Sequence, residues 1–113
     1  MSEEVLTEVL TNLWRAQRKI DSPGEDPARR AAARHLRAAL DALARVGWTV
    51  QDHDGARFDP GQALEVIAYE PKPDVEVETV LETVRPCVYL GTRRLQIGQV
   101  IVARPEKTGR RRV

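Results

Sequence analysis

The chain reads as an α+β protein, an N-terminal antiparallel helical hairpin followed by a small, mainly antiparallel β-domain. Three observations predict this. Apolar residues recur every three or four positions up to Val46, then switch to strand-like runs after Gly47. The pair Pro23-Gly24 interrupts the helical half. Beyond Gly47, turn residues recur at close intervals: Asp54-Gly55, Asp59-Pro60-Gly61, Pro71, Pro73 and Gly91-Thr92.

The first helix is expected from Glu3 to about Ile20. Leu6, Val9, Leu10, Leu13, Ala16 and Ile20 share one face, with Trp14 on its flank. Ser2 is a capping residue, and Glu3 and Glu4 suit the positive end of the helix dipole. Asp26 followed by Pro27 restarts the chain as a helix that runs to about Val46 and stops at Gly47. Ala32, Ala33, Leu36, Ala39, Leu40, Leu43 and Val46 form its apolar face. These faces are too large for a hairpin alone to bury, so either the β region or a second chain must cover them; a four-helix bundle of two hairpins would do so, and a homodimer through the helices is the expectation.

Strands follow at Trp48–Gln51, at Leu64–Tyr69, from Val75 through Val84, at Cys87–Leu90 and at Arg93–Ala103. Asp54-Gly55 favours a tight hairpin, and Gly98 suggests a bulge within the last run. The organisation expected is a helical hairpin and dimerisation segment over 1–46, a β-domain over 47–104, and a basic flexible tail over 105–113.

The length of 113 residues fits one domain with a modest core, and aromatics at 4% leave that core to Val, Leu, Ile and Ala. A net charge of +1 gives no global pull toward nucleic acid or membrane. The charge is uneven, since five cations from Arg104 onward face Glu106 alone, a net +4 that leaves −3 for the rest. Cys87 is the single cysteine, so no internal disulfide is possible. The acidic start, MSEEVLTEVL, does not read as a signal peptide, and a cytoplasmic protein is the expectation.

Several short matches fall in this order of elements. The helix ends in LARVGWTV; Phe58-Asp59-Pro60 forms a corner with Val66 downstream; Thr79-Val80 opens a strand. Tyr89-Leu90 and Arg93-x-Leu95 come next, and Val100-x-Val102-Ala103 closes the sheet region. Together these resemble the C-terminal part of the GrpE family, nucleotide exchange factors of Hsp70 chaperones, over roughly residues 36–104. Ala63-Leu64-Glu65, Cys87-Val88 and Gln96 depart from the family pattern, and the long N-terminal helix of that family is not matched. The resemblance implies a GrpE head-like fold, a homodimer, and an Hsp70-type ATPase as protein partner. It places Arg93 at a family arginine that contacts the ATPase. Arg94, Gln96 and Asp59 are the further partner-binding candidates, and Leu13, Leu36, Leu40 and Leu43 the expected dimer contacts.

No catalytic, cofactor or metal site is expected. His53 in DHDG reads as a polar turn, because no second histidine or cysteine lies within reach. His35 reads as a solvated helix flank and Cys87 as a packed strand thiol. Asp59-Pro60 reads first as a structural corner. Arg29, Arg30, Arg34 and Arg37 lie partly along one helix flank, but acids dilute the patch and no stacking aromatics interleave it, so nucleic acid is not the expected partner. Two functions remain: a GrpE-like cochaperone that promotes ADP release, or a dimeric adaptor that keeps the fold without exchange.

Overall fold

The structure, a computed structural model, describes residues 1–21 and 26–106. The Pro23-Gly24 break and the tail cations Lys107, Arg110, Arg111 and Arg112 lie outside those residues. Helix α1 spans Glu3–Ile20 and starts where its cap dictates, with the Ser2 hydroxyl accepting the Val5 N–H at 3.1 Å. Helix α2 spans Pro27–Arg45. The Asp26 carboxylate accepts the Ala28 N–H at 3.0 Å, and Pro27 fills the first helical position, where no N–H is needed. The helix stops at Gly47, whose φ of +95° is a left-handed conformation that glycine adopts without strain.

The helices are antiparallel. Arg29 donates to the carbonyls of Lys19 and Ile20 at 2.8 and 3.1 Å, so an α2 side chain satisfies last-turn acceptors of α1. At the opposite end, Leu6 and Leu10 share a cluster with Leu40 and Leu43.

The chain divides into two units. The first comprises residues 1–51 and 87–96. It holds both helices and a sheet of β1 (Trp48–Gln51), β4 (Cys87–Leu90) and β5 (Arg93–Gln96), in the order β1-β4-β5. Both pairings are antiparallel, with Trp48 opposite Leu90 and Leu90 opposite Arg93. Leu10, Trp48 and Val88 are buried at its centre, ringed by Leu6, Leu40, Leu43, Val50, Leu90 and Leu95. One amphipathic face of the hairpin is thereby covered by the chain's own small sheet.

The second unit comprises residues 52–86 and 97 onward, described to Glu106. Its sheet contains β2 (Leu64–Lys72), β3 (Thr79–Arg85) and β6 (Gly98–Pro105), in the order β2-β6-β3. β3 runs antiparallel to β6, whereas β2 runs parallel to it. Phe58, Val80, Val100 and Val102 form the core, with Leu64 and Val66 against them. The Phe58-Asp59-Pro60 corner delivers the phenyl ring to this core. Asp59 holds the corner by accepting the Gly61 N–H on its carboxylate and the Gln62 N–H on its carbonyl, both at 2.9 Å.

The fold is α+β with two small sheets and mainly antiparallel pairing, as the sequence pattern predicts, and it fits a GrpE head-like arrangement. Four local expectations change. Asp54-Gly55 turns but makes no hairpin, because β1 pairs with β4. The segment instead closes the outer edge of β3: Gly55 N–H donates to Val80 O at 2.9 Å and Phe58 N–H to Glu78 O at 2.8 Å. The second expected strand runs on through Pro71 to Lys72, which an edge position tolerates. The alternating Val75–Glu78 stretch is a bend at Glu76 and Val77 with irregular chain on either side, and β3 begins at Thr79. Thr79 pairs with Ala103, so continuing the ladder would set Val77 opposite Pro105, which has no N–H to give. The run from Arg93 to Ala103 splits at Ile97 into strands of different sheets, with Gly98 opening the second. The Arg85 guanidinium donates to the Ile97 carbonyl at 2.8 and 3.2 Å, so a side chain occupies that acceptor.

Candidate partner-binding surfaces

Two surfaces of the first unit stand out. The first is β5. A tight turn at Gly91, with φ of +61°, reverses the chain and delivers Arg93 and Arg94 to the start of the strand, both exposed. Arg93 makes a two-pronged contact with Glu3 from the first turn of α1. Its Nη2 lies 2.6 Å from Glu3 Oε2 and its Nη1 lies 3.2 Å from Oε1. The Arg93 bond holds the Glu3 carboxyl below its ordinary value against an opposing cost of desolvation, with the attraction of the guanidinium adding to the lowering. The same bond raises the affinity of Arg93 for its proton.

Gln96, at the other end of β5, donates from its side-chain amide to the Thr11 hydroxyl at 3.1 Å. Thr11 is buried, so this contact fixes the strand end against α1. Asp59 lies in the second unit, where its side-chain oxygen holds the turn described above. The four candidates thus divide. Arg93 and Arg94 are exposed, Arg93 with Glu3 as its partner, while Gln96 and Asp59 hold their own elements through internal bonds and Asp59 belongs to a different unit.

The second surface is on α1. Leu6, Leu10 and Trp14 face the core, and a neighbouring stripe of Val5, Val9 and Leu13 does not. Val5 and Val9 are 45% and 41% exposed, and with Glu8, Asn12 and Leu13 they line a shallow groove. Of the expected dimer contacts, Leu13 lies in this groove. Leu40 and Leu43 pack within the chain's own core, and Leu36 is half-buried on α2. Sequence periodicity places Val9 and Leu10 on one apolar face, and the packing separates them.

His53 is half-buried with its Nδ1 unbonded, and its backbone N–H donates to the Thr83 hydroxyl at 3.0 Å. No group of three or more metal-ligating side chains occurs among the described residues, and no described helix is long and apolar enough to cross a membrane. Cys87 is buried in β4.

With this geometry in place, comparison with known proteins is informative. No family model matches the chain. It is similar to Protein GrpE of Chromohalobacter salexigens, 30% identical over 98 residues that cover 87% of this chain and 46% of that protein. The chain therefore spans about half the length of that curated relative. The similarity suggests a GrpE-like chain. Glu3 is the neighbour of Arg93 that sequence reasoning missed. It sits 90 positions from Arg93, and a lone glutamate in a first helical turn is explained locally by the helix dipole.

Proposed function

We propose that this chain is a GrpE-like cochaperone, which binds the nucleotide-binding domain of an Hsp70-type ATPase in the cytoplasm and promotes ADP release. The observation that carries the reading is the similarity to Protein GrpE across 87% of the chain, joined to the α+β arrangement of helices and small sheets. The action needs no chemistry by this chain. A protein that binds the open, nucleotide-free ATPase better than the closed form shifts the equilibrium toward release by that difference in affinity. Arg93 and Arg94 on β5 are the proposed contacts, since a guanidinium fork suits a carboxylate partner. The groove of Val5, Val9 and Leu13 is the proposed contact with a second copy.

The test is stopped-flow release of a fluorescent ADP from the nucleotide-binding domain of an Hsp70-type ATPase. Addition of this protein should accelerate release at least tenfold. Binding without acceleration would favour the second reading, a dimeric adaptor, which the replaced polar positions at Ala63, Cys87 and Gln96 support. Neither binding nor acceleration would remove both.

A further inference from the structure

We propose that Arg93 forms a recognition site for a carboxylate side chain of a protein partner, and that the free protein keeps this site filled with its own Glu3. The partner's role rests on the function proposed above; the filling by Glu3 rests on the geometry alone. Both guanidinium nitrogens of one edge meet both oxygens of one carboxylate, at 2.6 and 3.2 Å, in the paired arrangement that distinguishes arginine from lysine as a carboxylate reader. The pair is long-range in sequence and comes from two separately fixed elements. β5 is held by its ladder to β4 and by the Gln96–Thr11 bond, and α1 is held by its Ser2 cap and the burial of Leu10. Arg93 is therefore presented at a set position with a carboxylate already in place.

The site is filled but exchangeable. The side chains are 58% and 48% exposed, and an ion pair so open to water is weak, screened by salt and easily displaced. A partner carboxylate at the same fork gains only the difference between its own contact and the one it replaces. Glu3 thus acts as an internal competitor that lowers the apparent affinity of every carboxylate ligand at the fork by a common factor.

Three variants separate the possibilities: Glu3→Gln, Arg93→Ala, and Glu4→Gln, which alters the charge of the same helical turn away from the fork. Melting temperatures are measured first to confirm folding. The first probe is an acetylated triglutamate peptide, followed through the Arg93 Nε–H resonance. The peptide should shift that resonance at about two- to fivefold lower concentration in Glu3→Gln than in the parent, with Glu4→Gln behaving as the parent. Equal titrations in parent and Glu3→Gln, or a weaker response in Glu3→Gln, would overturn the inference, the latter by showing that Glu3 orients Arg93 instead of competing for it. The second probe is the ATPase domain. Loss of binding in Arg93→Ala with tighter binding in Glu3→Gln supports both the site and its function. Unchanged binding in Arg93→Ala moves the ATPase contact elsewhere, and the peptide result then decides the carboxylate site by itself.

Discussion

The carboxyl of Glu3 carries a measurable signature of its partner. Because the Arg93 bond lowers its proton affinity in the folded state, its contribution to stability is present above the unfolded glutamate pKa. That contribution is lost as pH falls through the depressed folded value. Carboxyl-detected NMR should show Glu3 titrating below the ordinary glutamate range in the parent, and moving back toward that range in Arg93→Ala. An unshifted titration in the parent would mean the contact is not populated in solution. At this scale the sequence is eloquent about caps and corners. Ser2, Asp26, Gly47 and the Asp59 turn all work as local chemistry requires, because the atoms involved lie within a few residues of each other. Glu3–Arg93 and Gln96–Thr11 join residues 90 and 85 positions apart, and no local pattern announces them.

Neighbouring positions on α1 should behave very differently. Leu10 is 1% exposed and sits with Trp48 and Val88, whereas Val9 faces the groove. Leu10→Ala should destabilise the protein by about 2–5 kcal/mol through lost burial and a residual cavity. Val9→Ala should change the stability of the monomer by less than about 0.5 kcal/mol. Chemical denaturation at low protein concentration checks both, and similar losses for the two would mean that α1 packs by its other stripe. Helix extents were legible because 3.6-residue periodicity and capping agree over many residues. Strand partners were less so. Pro105 ends the β3 ladder, and Ile97 divides one apparent strand between two sheets, since pairing depends on residues distant in the chain.

Assembly tests the groove as a whole. Val5, Val9 and Leu13 form an apolar stripe along α1 that the described residues of the chain leave open. If two copies meet there, Val9→Asp should convert a dimer to a folded monomer, because the charge costs little in water and much in an apolar contact. Light scattering should give half the parent mass, with unchanged helical circular dichroism. A parent that is monomeric at micromolar concentration would refute the dimer. The corresponding change at Leu40, expected from sequence as a dimer contact, would confuse the outcome, since Leu40 also supports the internal core. Fold class was readable from the change of period at Gly47. Which leucines face inward was not, because that depends on the β4–β5 hairpin, distant in the chain, returning to the helices.

The backbone passes between the two units three times, after Gln51, after Pro86 and after Gln96. No single cut of the gene can therefore isolate either one. A fragment ending at residue 46 would carry Leu6, Leu10, Leu40 and Leu43 without Trp48, Val50, Val88, Leu90 and Leu95, so more than half of its cluster would be missing. The complementary fragment would hold both sheets but neither helix. Fragment mapping of any binding activity would score every piece as dead, wherever the contact lies. A protease nick at one crossing, by contrast, leaves two crossings intact, so nicked material should migrate as a single species until it is denatured.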